Sequence, residues 1–372
     1  MNIPIPVNEP LLDGDERKYL NQCIDTGWVS SEGPFVPLFE EKFAARVGRR
    51  HGISVCNGSA ALDLAVVALG IGKGDKVILP TFTIISCAAA IVRAGAIPVV
   101  IDSDSLSWNM DITRIEEKIC PRTKAIMAVH IYGLPIDMEP LLQLAKKYEL
   151  KIIEDAAEMH GQTYYGQPCG SFGDISTFSF YSNKNITTGE GGMIVTDDDI
   201  LAKQCRSLRN LCFQEQKRFV HEDLGWNFRM SNIQAAIGVA QVDRLDETVA
   251  KKRYIGRRYT ELLANERKLQ LPLPKTKYAE NIYWVYGVVL SEDVPFDAEE
   301  VMRRMSKYHI GTRPFFWSMH EQPVFRKMGL FSNDILPVAE NLSRRGFYIP
   351  SGIAITDQQI NRVVEVMCEV LN

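Results

Sequence analysis

Strand-like segments alternate with helix-like segments through the first two-thirds of the chain. This order is typical of βα units and predicts an α/β fold with a mainly parallel sheet. The predicted strands are residues 76–79, 97–101, 124–131, 151–154, 175–180 and 193–196. The predicted helices are 59–69, capped by Ser59 and ended by Gly70, one from about 137, and a long stretch from Ser231.

The chain length predicts two domains. With 372 residues, the chain is long for a single hydrophobic core. Charged residues are dense over residues 243–258, as expected of a solvated helix that joins two domains. After about residue 275 strands and helices mix, with 283–290 as a core strand. We therefore expect a large domain over 1–245 and a smaller α+β domain over 246–372.

Composition excludes several classes of function. A net charge of −4 provides no basic patch for nucleic acid. The eight cysteines are scattered, without a Cys-x-x-Cys pair or histidines at metal-ligand spacing, which favours free thiols in a reducing compartment. The chain shows neither a signal segment nor an apolar run of roughly 18 residues. We expect a cytoplasmic protein without a membrane span or a metal.

Lys184 follows an aromatic, strand-like run and precedes a glycine-rich stretch. A lysine there is either an ordinary solvated side chain or a candidate for covalent chemistry. Burial lowers the pKa of a lysine and frees its lone pair to attack a carbonyl carbon.

Asp155 lies at the end of another apolar strand, where open α/β sheets bind ligands. It is either a helix N-cap or a buried carboxylate, which needs a cationic partner. The protonated ring nitrogen of pyridoxal phosphate (PLP) is such a partner. Lys184 as the Schiff-base residue and Asp155 on the ring nitrogen form the pair that PLP requires.

A phosphate-binding turn is predicted at Gly58, Ser59 and Ala60. These residues open a helix, and the free backbone N–H groups of a helix N-terminus bind phosphate. Ser59 would add a hydroxyl, and Ser179, five residues before Lys184, suits a second hydroxyl donor.

Motifs from about Asn8 to the C-terminus resemble the DegT/DnrJ/StrS family of sugar-nucleotide aminotransferases. The matching stretches are Asn57-Gly-Ser-Ala-Ala-Leu62, Pro80-Thr-Phe-Thr83, His130-Ile-Tyr-Gly133, Glu154-Asp-Ala-Ala-Glu158, the Lys184 segment, Gly225-Trp-Asn-Phe-Arg-Met-Ser-Asn232 and Thr312-Arg-Pro314. The resemblance implies a PLP-dependent enzyme with the fold type I, aspartate-aminotransferase-like architecture.

The resemblance also implies roles for single residues. Phe82 would cover one face of the PLP ring, and Glu158 would lie near its ring hydroxyl. Asn227 would reach the PLP phosphate from the neighbouring subunit, which implies a homodimer. Arg229 would pair with an acid or bind the carboxylate of the amino donor.

The substrate residues are less sharply defined by the resemblance. Arg313 and His320 would contact the sugar nucleotide, although a salt bridge or a bystander role fits them too. The segment with Trp28, Ser30 and Ser31 resembles the N-terminal loop that lines the substrate cleft in the family. His160 departs from the apolar residue expected in the nearest subgroup.

The implied reaction is amination of C4 of a nucleotide-linked 4-keto-6-deoxy sugar, with L-glutamate as the amino donor. GDP-4-keto-6-deoxymannose is the leading substrate; UDP-linked sugars, with or without a 2-acetamido group, and dTDP-linked sugars are alternatives. PLP-dependent dehydration is disfavoured, because its enzymes carry histidine in place of Lys184. A regulatory protein that only senses PLP or a sugar nucleotide is the alternative of another class.

Overall fold

A computed structural model describes residues 4–214 and 216–371. Its strands are β1 (His51–Val55), β2 (Lys76–Pro80), β3 (Ile97–Ile101), β4 (Thr123–Val129), β5 (Lys151–Asp155), β6 (Thr163–Tyr164), β7 (Gln167–Pro168), β8 (Ile175–Ser179), β9 (Gly192–Thr196), β10 (Leu269–Gln270), β11 (Tyr286–Leu290), β12 (Arg313–Pro314) and β13 (Gly346–Ile349). Its α-helices are α1 (Glu16–Thr26), α2 (Phe35–Arg46), α3 (Gly58–Ala68), α4 (Ile85–Arg93), α5 (Met138–Lys147), α6 (Asp199–Arg209), α7 (Asn232–Asp243), α8 (Leu245–Leu263), α9 (Ala298–Ser306), α10 (Pro323–Lys327), α11 (Pro337–Arg345) and α12 (Asp357–Leu371). Short 3-10 helices span Ile112–Arg114, Glu116–Lys118 and Met319–Glu321.

The larger sheet has seven strands in the order β1-β9-β8-β5-β4-β2-β3. Strands β3, β2, β4, β5 and β8 run parallel, whereas β9 is antiparallel to both β8 and β1. Helices cover both faces, so the central strands are buried and apolar on both sides. The predicted mainly parallel α/β sheet is confirmed.

The start of α3 differs from the prediction. Asn57, not Ser59, is the N-cap, and its side chain accepts a hydrogen bond from the backbone N–H of Ala60 at 2.9 Å. Ser59 therefore lies inside the first turn. Its hydroxyl is free of the capping role and instead lies 2.7 Å from the hydroxyl of Ser86.

The helical stretch predicted from Ser231 consists of two helices. Ser231 and Gln234 form a reciprocal capping box at the start of α7. The chain then turns at Arg244, and α8 continues to Leu263.

A second, four-stranded sheet has the order β10-β11-β13-β12 and is antiparallel throughout. Its core contains side chains of α8, α9 and α12, and also Ile5 from the N-terminal segment. Trp284 and Phe315 instead join the core of the larger sheet. A domain division at 245/246 coincides with the start of α8 and stays a prediction.

The described residues contain neither a helix suited to a membrane nor a cluster suited to a metal ion. None of their helices combines the length and apolar character that a membrane crossing requires. No group of three or more histidine, cysteine, aspartate or glutamate side chains among them is arranged to hold a metal ion.

Candidate active site

The carboxyl ends of the parallel strands border a cavity of about 440 Å³. Asp155 ends β5 and Ser179 ends β8, and both line this cavity, as does Lys184 from the turn after β8. Parallel strands place their carboxyl ends at one edge of a sheet, so residues distant in sequence meet there.

The N-terminus of α3 forms one wall of the cavity. Gly58 and Ser59 line it, and a Cβ atom on Gly58 would lie only 2.7 Å from Cβ of Ser179. Glycine is thus required for the close approach of the helix start to β8. Ala60 does not line the cavity, and its N–H is bonded to the side chain of Asn57. The arrangement suits an anion, because the first N–H groups of a helix carry partial positive charge.

Lys184 is almost fully buried, with 9% of its side chain exposed. Its Nζ lies 3.7 Å from Oε1 of Glu158 and 3.6 Å from the centre of the Trp284 ring. Burial lowers the pKa of Lys184, while the carboxylates of Glu158 and Asp155 act in the opposite direction. The side chain is not a solvated surface lysine, and its neutral amine is favoured relative to one in water.

Asp155 is 3% exposed and accepts hydrogen bonds from two neutral donors. These are the N–H of Ala157, at 3.1 Å, and the thiol of Cys87, at 3.2 Å. Burial raises the pKa of Asp155, although these two hydrogen bonds and the charge of Lys184 act in the opposite direction. A turn rather than a helix follows Asp155, so the N-cap alternative does not apply.

Glu158 is held against the same cavity. Its Oε2 accepts a hydrogen bond from the N–H of Tyr132 at 2.7 Å. Burial raises the pKa of Glu158 to about 7, despite the opposing effects of Lys184 and the Tyr132 N–H. Glu158 therefore changes charge in the neutral range.

The residues of this cavity fit PLP. Two buried oxygen atoms that face it, Oγ1 of Thr177 and Oδ1 of Asn183, have no hydrogen-bond partner among the described residues. An amine, a buried carboxylate and a helix N-terminus in one cavity match an aldehyde, a ring cation and a phosphate, respectively.

Phe82 does not line the cavity. It is fully buried and packs on Tyr132, Phe315 and Phe316, with ring centres 5.7–6.0 Å apart. Ile84, two residues later, lines the cavity and is 42% exposed. The structure thus places Phe82 in the core and an aliphatic side chain at the cavity wall.

Arg313 also lines the cavity. It is exposed, lies on β12, and also lines an adjoining pocket of about 100 Å³ that shares Tyr181, Asn183 and Tyr348 with the main cavity. Burial raises the pKa of Tyr348 to about 12, although the charge of Arg313 lowers it. Among the residues that the structure describes, none is hydrogen-bonded or ion-paired to the Arg313 guanidinium, which leaves this group able to meet an anion that extends from the cavity.

Neither histidine that the sequence singled out lines the cavity. His320 is buried, with Nδ1 2.8 Å from Oγ1 of Thr81 and Nε2 3.0 Å from Oε1 of Glu340. Both ring nitrogens of His320 thus have partners within the chain, and its predicted contact with the sugar stays a prediction. His160 is stacked between Phe178 and Phe180.

The remaining predicted residues gather at a different surface. Arg229 donates hydrogen bonds to Asn227 at 2.9 Å and to Asn210 at 3.0 Å. Arg229 and Ser31 line a separate cleft of about 260 Å³. The backbone carbonyls of Trp28 and Ser30 accept hydrogen bonds from the side chain and the backbone N–H of Asn232, respectively. Asn232 lies three residues after Arg229 in the sequence. None of these residues lines the Lys184 cavity of its own chain.

Sequence reasoning missed Cys87, Ile84 and Trp284. Cys87 and Ile84 follow Pro80, where the chain leaves the strand, and strand periodicity no longer indicates their direction. Trp284 precedes a strand of the other sheet, so only the packing of the two sheets brings it to Lys184. Its sequence neighbourhood, Asn281-Ile-Tyr-Trp284, gave no signal for the site.

Comparisons with known proteins agree with this site. A model of the DegT/DnrJ/EryC1/StrS aminotransferase family matches residues 10–368. The chain is 42% identical to GDP-perosamine synthase of Caulobacter vibrioides over 367 residues, covering 99% of this chain and 98% of that protein. It is 40% identical to GDP-perosamine synthase of Escherichia coli O157:H7, covering 98% of each. The crystal structure of the aminotransferase TlmJ from Streptoalloteichus hindustanus superimposes with a TM-score of 0.92 at 28% identity, covering 99% of both chains.

Proposed function

The chain belongs to the DegT/DnrJ/EryC1/StrS aminotransferase family of PLP enzymes, and from that premise we propose that it aminates C4 of GDP-4-keto-6-deoxymannose to give GDP-perosamine. L-Glutamate is the amino donor in this proposal. The observation that carries it is the identity of 40% or more, over nearly the whole chain, to proteins named GDP-perosamine synthase. The cavity supports it, because Lys184, Asp155 and Glu158 are buried side by side.

In this proposal Lys184 moves protons. Its neutral Nζ accepts the proton from Cα of the amino donor and later supplies one to C4 of the sugar. PLP, when bound, withdraws electrons from the carbon that loses the proton. Asp155 holds the positive charge of the PLP ring nitrogen, while Glu158 supports the ring hydroxyl and the ammonium form of Lys184.

The other binding roles follow from position. Gly58, Ser59 and Ser179 bind the phosphate of PLP at the start of α3. Arg313 binds the diphosphate of the sugar nucleotide, because guanidinium pairs well with phosphate oxygens. Ile84, rather than Phe82, contacts the ring face of the cofactor.

A homodimer completes the site in this proposal. Asn227 and Arg229 do not reach the cavity of their own chain, so they serve the cavity of a second copy, together with the loop that carries Trp28 and Ser30. No disulfide bond links the cysteines that the structure describes, which supports a reducing, cytoplasmic location in this proposal.

The test is amino-sugar formation by the purified protein with PLP, L-glutamate and a panel of GDP-, UDP- and dTDP-linked 4-keto-6-deoxy sugars, measured by mass spectrometry. We expect product from the GDP sugar. Product from a UDP or dTDP sugar alone would replace the proposed substrate. A PLP spectrum that responds to glutamate, without product from any sugar, would reject all three sugar classes. No spectral response and no product would favour the sensing protein, which the buried Lys184–Glu158–Asp155 group otherwise disfavours.

The Lys184→Ala variant tests the residue assignment. We expect no detectable turnover, whereas Lys151→Ala, which removes an exposed lysine at the start of β5, retains full activity. Steady amination by the Lys184→Ala variant would exclude the proposed role of Lys184.

A further inference from the structure

The backbone around Trp284 is tightly fixed. The side chain of Asn281 accepts a hydrogen bond from the N–H of Tyr283 at 2.6 Å. Tyr283 has a positive φ of 50°, which turns the chain sharply before β11. A Cβ atom on Gly133 would lie 2.7 Å from the backbone nitrogen of Trp284, so only glycine permits this approach. The indole therefore enters the site from a rigid support.

The indole makes two separate contacts with the Lys184 turn. Nζ of Lys184 lies 3.6 Å from the ring centre, well within the range of a cation–π interaction. The ring N–H donates a hydrogen bond to the backbone carbonyl of Asn183 at 2.9 Å. Trp284 is 5% exposed, and its ring packs on Tyr132. Trp284 thus holds both the amine of Lys184 and the peptide unit that precedes it.

The charged neighbours of Lys184 do not make the indole redundant. Glu158, Asp155 and the thiol of Cys87 favour its ammonium form, and burial opposes it. Since the pKa of Glu158 is about 7, Glu158 is protonated and neutral in a fraction of the molecules at neutral pH. His160, whose pKa is lowered to about 3 by burial and by Lys184, adds no positive charge there. The indole face does not titrate, so its attraction for the ammonium is constant across this range.

Given the proposed function, in which Lys184 carries protons, we propose that Trp284 is a positioning residue for Lys184. Its ring face receives the ammonium whenever Nζ is not covalently engaged, and its N–H bond to Asn183 fixes the turn that aims Nζ into the cavity. The residue is supplied by the segment that leads into the smaller sheet. The packing of the two sheets therefore contributes directly to the protonation of Lys184.

The first test weakens the indole face without changing its shape. Tryptophan analogues with increasing fluorine content are placed at position 284, and the pKa of Lys184 is measured in the full-length protein freed of PLP. Competitive labelling of amines across a pH series, read at the Lys184 peptide by mass spectrometry, gives this pKa. We expect it to fall stepwise, by about one unit in all. A pKa that stays constant through the series overturns the proposal.

A matched control is available at Trp317. This indole is 45% exposed, and the guanidinium of Arg344 lies 5.3 Å from its ring centre. The same analogues at position 317 should leave the pKa of Lys184 unchanged. Equal shifts from both positions would mean that fluorination acts through the whole protein, which also contradicts a local role.

Substitution of Trp284 separates its two contacts. Trp284→Phe keeps an aromatic face but loses the N–H donor, whereas Trp284→Leu loses both. With PLP bound, we expect the pH profile of kcat to move to lower pH, more in Trp284→Leu than in Trp284→Phe, while KM for the sugar nucleotide stays within about twofold. If Trp284→Leu does not fold, Trp284→Phe and the fluorinated series still test the positioning role of Trp284. An unshifted kcat profile in folded variants overturns the proposal.

Failure of this inference and failure of the proposed function give different results. The labelling experiment contains neither sugar nor amino donor. A shifted pKa without amination of any sugar would keep the role of Trp284 and reject the substrate. Amination of the GDP sugar together with an unshifted pKa of Lys184 would keep the proposed substrate and reject the role of Trp284.

Discussion

At the residue scale, Cys87 is a buried thiol that serves the carboxylate of Asp155. Its hydrogen bond to Oδ2 lowers the pKa of Asp155 against the larger effect of burial. Cys87→Ala should therefore favour the neutral acid and weaken PLP binding about tenfold, since a hydrogen bond to a charged group contributes about 1.5 kcal/mol or more. Titration of the PLP-free protein, followed by absorbance, measures this affinity.

Two variants control for the loss of a buried thiol. Cys87→Ser keeps a donor and should bind PLP within about threefold of the wild type. Cys205→Ala removes another fully buried thiol, on α6 and outside the cavity, and should not change PLP affinity. If Cys87→Ser binds as weakly as Cys87→Ala, the hydrogen bond is not the cause.

His160 makes the fold sensitive to acid. Its Nε2 is buried without a partner among the described residues, and burial lowers its pKa from 6.5 to about 3. Below pH 6.5 the unfolded chain therefore binds a proton that the folded chain does not. The free energy of unfolding therefore decreases as the pH is lowered below 6.5, by up to about 1.4 kcal/mol per pH unit, until the folded-state pKa is reached.

His160→Leu removes this proton linkage. Urea unfolding at a series of pH values should show the variant gaining on the wild type as the pH falls below 6.5, with a constant difference above it. His221→Leu, a change of an exposed histidine, should give no comparable gain. Parallel curves for wild type and His160→Leu would show that His160 is not the acid-sensitive group.

At the scale of secondary-structure elements, the cap of α3 belongs to the proposed phosphate site. Asn57→Ala should destabilise the protein by about 1 kcal/mol through loss of the N-cap. It should also weaken PLP binding several-fold, because the first N–H groups of α3 lose their fixed direction. Thermal unfolding and PLP titration measure the two effects separately.

The cap of α6 provides the comparison. Asp198 accepts hydrogen bonds from the N–H groups of Ile200 and Leu201, so Asp198→Ala should cost similar stability. That helix does not line the cavity, and PLP affinity should be unchanged. Equal losses of affinity in both variants would mean that the effect follows general stability rather than the α3 N-terminus.

Sequence pattern could predict the site residues that follow buried strands, but not the contacts that depend on distant parts of the chain. Asp155 and Lys184 could be predicted because each follows an apolar, buried strand, and parallel strands align their ends. The N-cap of α3 was misassigned because Asn57 and Ser59 are both good caps, and only the backbone geometry selects between them. Strand β1 was missed, since its pairing partner β9 lies more than a hundred residues later in the chain. The contact of Trp284 with Lys184 could not be predicted either, because it depends on how the two sheets pack against each other.

At the scale of the whole molecule, the cluster around Arg229 presents predicted cofactor- and donor-binding groups away from their own cavity. Arg229 and Ser31 line a cleft that also contains Arg206 and Arg209. Nearby surface positions are apolar: Ile24, Trp28 and Val29 are 45–68% exposed. Exposed apolar side chains beside a cleft lined by arginines are expected where a second copy of the chain completes a site.

Subunit complementation tests that arrangement. Lys184→Ala and Asn227→Ala are each expected to give nearly inactive homodimers. Mixed under conditions that exchange subunits, they form heterodimers in which one site combines Lys184 of one chain with Asn227 of the other, both unaltered. Random exchange should restore about one quarter of the wild-type activity, because half of the dimers carry one intact site of two. If both residues serve the site of their own chain, no mixed dimer contains an intact site and the mixture stays inactive. A mixture of Lys184→Ala with Asp155→Ala provides the control: both residues face one cavity within a single chain, so exchange should restore no activity.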